Sequence, residues 1–258
     1  DHVADDAFAA IESHVETCDR CRELMERIVR SDSDLDEQPA ANFQLPNIPG
    51  FILERELGRG SAGVVYLAAE PGLERQVALK LVPGGAPAGP KQRGRWIAEA
   101  RAVSKLRHVN IVRLYRVDET DQWLVLVFEY IPGGTLRDRL GTPIDPADAA
   151  RLTETVARAV AHIHEQGLRH LDLKPSNTLL DGPAGSDLGA TIPKISDFGI
   201  ARTASDPAGT LGSQTGPRGT PAYMAPEQAE TRVDAIGPAS DLYALGAILY
   251  EMLTGRPP

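Results

Sequence analysis

The stretch His170-Leu171-Asp172-Leu173-Lys174-Pro175-Ser176-Asn177 constrains this chain more than any other. It carries a carboxylate able to orient a hydroxyl and take its proton, a lysine two positions on that can neutralise phosphate charge, and an amide able to hold a metal ion. A string D-x-K-x-x-N is short enough to occur in any surface loop, so alone it is weak. Its weight comes from its company. A glycine loop at Gly58, Gly60 and Gly63, then Lys80 and Glu99, precede it, and Asp197-Phe198-Gly199 follows. That order of groups is the equipment of a phosphoryl-transfer site.

Composition narrows the alternatives. A net charge of −9 with no Lys/Arg block excludes a nucleic-acid scaffold, which needs a basic face to release counterions. The longest apolar stretches, Trp123 to Phe128 and the region around Leu242 to Leu253, are too short or too interrupted to cross a bilayer, so no membrane segment is expected within the chain. No charged n-region followed by an apolar run opens it. The only cysteines, Cys18 and Cys21, are too close together to staple distant parts of a fold, and a reducing cytoplasm is the expected compartment. The chain starts at Asp1 rather than Met and ends in Thr254-Gly255-Arg256-Pro257-Pro258, which reads as a turn after a helix; a piece of a longer protein is expected.

Residues 1–30 read as helical, with Val3, Phe8, Ile11, Val15, Leu24, Met25 and Ile28 at roughly helical spacing. Between the two runs, His14, Cys18 and Cys21 offer three ligands of the type that bind Zn²⁺, and a tetrahedral structural site wants four. His2, Glu16 or a residue before Asp1 could supply the fourth. A helical hairpin with two unligated thiols and a C-x-x-C redox pair are the other readings of the same residues. The segment resembles the small zinc-binding module of anti-sigma factors, which implies a regulatory partner at residues 1–30. Residues 31–50, Ser/Asp-rich and then Pro/Asn-containing, lack apolar periodicity and read as a linker.

From Phe51 the pattern turns to strands. Glycines at 58, 60 and 63 let a strand-turn-strand backbone approach a polyphosphate without Cβ clashes. The same spacing opens dinucleotide-binding folds, but there it leads into a helix. Here β-branched Val64 and Val65 follow, which favours a second strand and a lid over phosphates. Lys80 lies in the apolar strand Val77-Ala78-Leu79-Lys80, and a helix from about Arg93 to Arg107, with Ala98, Ala102, Val103 and Leu106 inward, presents Glu99. Two more strands end at Phe128-Glu129-Tyr130. Pro132-Gly133-Gly134 then breaks the strand as a hinge, beside which the backbone of Glu129 and Ile131 can hydrogen-bond an adenine edge. A long amphipathic helix, Ala147 to Gln166, delivers the chain to the His170 loop; Asp241 opens a last one, Leu242 to Leu253.

Together these residues resemble the eukaryotic-like protein kinases of the bacterial Ser/Thr branch, from Phe51 to the end. The resemblance implies an α+β, two-lobed protein kinase fold over residues 51–258. A small antiparallel β lobe with one main helix spans residues 51–130, and a larger, mostly helical and C-terminally incomplete lobe spans residues 131–258. It implies that Lys80 and Glu99 form the ion pair that positions ATP, that Gly58 to Val65 cover the phosphates, and that Ala78, Glu129, Ile131 and Leu179 contact the nucleotide. By the same resemblance Asp172 orients the substrate hydroxyl, Lys174 neutralises the transferring group, and Asn177 and Asp197 hold Mg²⁺. Lys174 in Asp-Leu-Lys-Pro and Thr220 in Gly-Thr-Pro-x-Tyr match the Ser/Thr pattern, so the implied partners are proteins with Ser/Thr acceptors. A catalytically weak or inactive nucleotide-binding scaffold is the alternative.

Two departures from the family pattern carry consequences. Leu171 stands where the family usually has an arginine that answers a phosphate on the activation loop. The family also continues past the Asp241 helix with further helices, one of which carries an arginine that pairs with the position of Glu227. The face of Leu245, Ile248, Leu249 and Met252 is therefore expected to lack part of its cover, with low stability as the result. From Leu171 we expect that replacing Thr210, Ser213 and Thr215 together by Ala leaves phosphotransfer intact; abolished transfer in a radiolabel assay of the triple variant would refute this.

Overall fold

The computed structural model describes residues 45–60, 63–83, 90–120, 122–183, 185–198, 221–230 and 232–258. His14, Cys18 and Cys21, together with Gly199, Thr210, Ser213, Thr215 and Thr220, lie outside them. The compact unit considered below runs from Asn47 to Pro258.

Five antiparallel strands form its first layer: β1 (Ile52–Gly60), β2 (Gly63–Glu70), β3 (Arg75–Pro83), β4 (Leu114–Glu119) and β5 (Trp123–Glu129), in the order β1-β2-β3-β5-β4. The nearly unbroken apolar run of β5 suits a strand covered on both faces. Alternation then divides its residues. Val125 and Val127 join Val77, Leu79, Leu81, Tyr66 and Phe51 in one cluster. Leu124, Leu126 and Phe128 join Val82, Trp96, Ala100 and Val103 in the other. This second face looks toward helix α1 (Pro90–Val103) and the helical lobe.

Register places the expected nucleotide contacts on that face. Gly58 pairs with Val65, Val65 with Lys80 and Lys80 with Leu126; Leu67 pairs with Ala78 and Ala78 with Phe128. Directly opposed residues point to the same side of a sheet. Val65 and Lys80 therefore share a side, and the two-residue period puts Ala78 there as well. The turn between β1 and β2 demands glycine at one position. Gly63 has φ +137°, and a Cβ there would lie 2.1 Å from the carbonyl oxygen of Leu81.

Helix α1 begins at Pro90, earlier than the apolar spacing suggests, because proline is well suited to a first helical turn. It buries Trp96, Ala100 and Val103, while Ala98, expected inward, is exposed. Beyond the hinge, α2 (Pro146–Glu165) is capped by Asp145, whose side chain accepts from the Ala147 and Asp148 N–H groups. It buries Leu152, Val156, Ala159, Val160 and Ile163, the inward set its periodicity implies. Strands β6 (Thr178–Asp181) and β7 (Ile192–Ile195) pair as a hairpin. The short α3 (Pro226–Ala229) precedes α4 (Pro238–Thr254).

Helix α4 packs on α2 with Leu245, Ile248 and Met252 buried and Leu249 half-buried, so three of the four residues expected to lack cover are in the core. The apolar residues left in solvent on α4 are Leu242, Tyr243, Tyr250 and Leu253. Ile248→Ala should therefore destabilise by about 2–5 kcal/mol through cavity formation. Leu242→Ala should stay within about 0.5 kcal/mol. Denaturant melts of both variants check the contrast, which equal losses would contradict.

Candidate active site

The loop singled out in the sequence is held by one carboxylate from the far side of the lobe. Asp241, on the first turn of α4, is fully buried. Its Oδ2 accepts from the His170 N–H at 3.0 Å and its Oδ1 from the Leu171 N–H at 2.7 Å. The His164 imidazole Nε2 lies 2.8 Å from Oδ2. Held this way, Leu171 takes φ +59°, a conformation that non-glycine residues adopt only where surrounding contacts enforce it.

Asp172 follows immediately. Lys174 Nζ is 3.0 Å from its Oδ2. Asn177 Nδ2 donates to the Asp172 carbonyl at 2.8 Å and to Oδ2 at 3.3 Å, which leaves Oδ1 as the atom Asn177 can turn to a cation. The same asparagine reaches the second acidic loop: its carbonyl accepts from Ser196 N at 2.8 Å and Ser196 Oγ at 3.1 Å. Asp172 and Asp197 thus belong to one site, joined through Asn177 and Ser196 at the end of the β6–β7 hairpin.

His170 completes the frame. The Asp172 N–H donates to its Nδ1 at 3.3 Å, so its Nε2 carries the hydrogen and donates to the Ser196 carbonyl at 2.9 Å. Its ring lies 5.1 Å from that of the buried Phe198. Asp197 itself has φ +58°, in the left-handed region like Leu171.

Lys80 enters from β3 and forms an ion pair with Asp197 Oδ1. This differs from the pairing implied for Lys80. Glu99, on α1, has a buried Oε2 with no hydrogen-bond partner, and burial pushes its carboxyl up to about 7. The physical reason is a competition. One ammonium serves one carboxylate best, and here Asp197, whose side chain is 42% exposed, takes it while Glu99 Oε2 stays buried and unpartnered.

At the hinge, buried Phe128 stands opposite Ala78 across the β3–β5 ladder, and Glu129 N–H donates to the Arg113 carbonyl at 2.9 Å. Ile131 is buried, and Leu179 on β6 bridges to Thr135. A Cβ on Gly133 would lie 2.1 Å from the Leu180 carbonyl oxygen, so only glycine lets the hinge lie against β6.

Several participants carry no signal in a motif scan. Lys194 of β7 is buried and reaches Glu129 Oε1 at 2.9 Å and Asp181 Oδ2 at 3.4 Å, tying hinge to hairpin. Glu251 of α4 is buried between Arg137 and Tyr223. Its acceptance of the Tyr223 hydroxyl, together with burial, raises that phenol well above its usual range. The Glu227 carboxylate accepts from Ser240 Oγ at 2.6 Å, and that bond lowers it, with a smaller contribution from Arg232. The sequence's cue to Lys194 is a lone charge in a strand, Ile192–Ile195, that is otherwise apolar.

The donor set suits a magnesium-bound nucleotide. Among the described residues no group of three His, Cys, Asp or Glu side chains forms a closed metal site. Magnesium held through phosphates takes only one or two protein oxygens, which Asn177 and Asp197 can offer. Cβ atoms on Gly58 and Gly60 would meet nothing within 4 Å, so space lies over the glycine turn.

Residues 51–258 match the protein kinase domain family. The chain is 38% identical to serine/threonine-protein kinase Pkn1 of Myxococcus xanthus, over 81% of this chain and 29% of that protein. It is 35% identical to serine/threonine-protein kinase PrkC of Bacillus subtilis, over 81% of this chain and 31% of that protein. The chain therefore spans less than a third of either relative. The crystal structure of Rad53 1-466 in complex with AMP-PNP superposes with a TM-score of 0.64 at 25% identity, covering 81% of this chain and 49% of that one. A site built on Asp172, Lys174, Asn177 and Asp197 beneath an antiparallel sheet that presents Lys80, with a match from Phe51 to Pro258, places this chain in the protein kinase family.

Proposed function

We propose that the chain transfers the γ-phosphoryl group of ATP to serine or threonine hydroxyls of proteins. One observation carries the reading: Asp172, Lys174 and Asn177 are bonded to one another and, through Ser196, to the loop of Asp197, beneath the sheet face that holds Lys80. In this reading Asp172 orients the acceptor hydroxyl and receives its proton, and Lys174 neutralises charge on the transferring group. Asn177 and Asp197 would hold magnesium, which supplies charge neutralisation on the phosphates when bound. Positioning accounts for most of the acceleration in such a site. Lys174 beside Asp172 supports Ser/Thr acceptors.

In the conformation seen, Lys80 neutralises Asp197. A second reading, a weakly active or inactive nucleotide-binding scaffold, rests on that pairing. Exchange of Lys80 from Asp197 to Glu99 would free the aspartate for the cation. Wild-type protein should label a generic protein substrate from γ-labelled ATP with magnesium, and Asp172→Asn should lower kcat by at least about 10²-fold. ATP binding without transfer would favour the scaffold.

Glu99 adds a pH signature. Its folded value near 7 exceeds the ordinary 4.5, so between these pH values the folded chain holds a proton the unfolded chain has released. This contribution lowers stability as pH rises across the window. Melting temperatures from pH 5 to 8 should show a flatter profile for Glu99→Gln than for wild type; parallel profiles would discard the assignment.

For residues 1–30 we retain Zn²⁺ at His14, Cys18 and Cys21, with a regulatory partner and a signalling role in the cytoplasm, on the His-x3-Cys-x2-Cys spacing alone. Zinc content near one equivalent in wild type, lost in Cys18→Ser/Cys21→Ser, is expected; metal-free wild type would end it.

A further inference from the structure

We infer that Gln228 is a positioning residue that sets the orientation of Asp172, the role a charged side chain at position 171 cannot fill in this chain. The inference rests on the phosphotransfer reading of the site and adds a residue to it. The peptide joining Leu171 to Asp172 is pinned at both ends. Its carbonyl accepts from Gln228 Nε2 at 3.0 Å, and its N–H donates to His170 Nδ1 at 3.3 Å. Rotation of that plane would swing the Cα–Cβ bond of Asp172, and the Gln228 amide opposes it.

The other end of the same amide is also engaged. Gln228 Oε1 accepts from the Ala225 N–H at 3.2 Å, while its own N–H donates to the Ala225 carbonyl at 2.9 Å, the reciprocal pattern of a helix start. One side chain therefore joins the catalytic loop to the segment that carries Tyr223 and Met224. That segment lines a small cavity with Asp172, Lys174 and Gln228. Tyr223 is anchored independently through Glu251 and Arg137. Gln228 thereby sets the loop against a fixed reference.

The sequence context explains why an amide does this. Leu171 is held at φ +59° and offers only backbone groups; its N–H goes to Asp241 and its carbonyl to Gln228. A loop phosphate has no cation at 171 to draw in, so the order of the His170 loop falls to these backbone bonds.

The experiment compares Gln228→Met, which removes both amide bonds at similar length, with Gln228→Glu, which keeps the acceptor for Ala225 N–H but loses the donor to Leu171. With a protein acceptor and ATP·Mg²⁺, both should lower kcat about tenfold with nucleotide affinity unchanged, the scale of one lost anchoring hydrogen bond. The deficit of Gln228→Glu alone should shrink as pH falls, because a protonated carboxyl regains a donor. Amide hydrogen exchange should speed up at residues 171–173 and stay unchanged in α2 and α4. A kcat within about twofold of wild type in both variants, or exchange raised throughout the domain, overturns the assignment. Should wild type itself transfer no phosphate, the phosphotransfer reading falls, and exchange at 171–173 still decides what Gln228 holds.

Discussion

A buried carboxylate on one helix carries the geometry of the site. The oxygens of a buried carboxyl need hydrogen-bond partners, and those of Asp241 find them in the backbone of the His170 loop and the side chain of His164. Desolvation thus forces the loop onto α4. Removing one partner of such an arrangement leaves an uncompensated charge, a loss of about 3–5 kcal/mol in comparable buried pairs. The left-handed backbone of Leu171 follows from this bond, and the direction of Asp172 follows from Leu171.

The upper sheet meets this frame through charge. Strand alternation turns Lys80 to this face of the sheet, and its ammonium then takes a carboxylate within reach. In this conformation that group is Asp197, and Glu99 is left desolvated with a raised affinity for its proton. Lys80 on β3 is thus committed to the Asp197 loop, and the carboxyl on α1 is held by burial alone.

Around this centre the lobe is tied by side chains remote in sequence. Lys194 joins the end of β5 to the β6–β7 hairpin, Gln228 joins α3 to the catalytic loop, and Glu251 joins α4 to Tyr223 and Arg137. Lys194 and Glu251 do so by pairing with other side chains, whereas Gln228 answers two backbone groups, the Leu171 carbonyl and the Ala225 N–H.

Much of this was legible in the sequence because it depends on near neighbours. The period of two along β2 and β3 puts Val65, Ala78 and Lys80 on one face, the 3.6-residue period of α2 selects its buried side, and the order of glycine loop, lysine, Asp172 and Asp197 fixes the chemistry available. Ala98 shows the limit even there, since the phase of α1 was decided by Trp96 entering the core. The partner of Lys80, 117 residues away, the anchoring of the loop by Asp241 and the bond from Gln228 to Leu171 were settled only by tertiary structure. Periodicity is local, whereas the partner of a charge or a lone carbonyl is chosen by competition among every group the fold brings within reach.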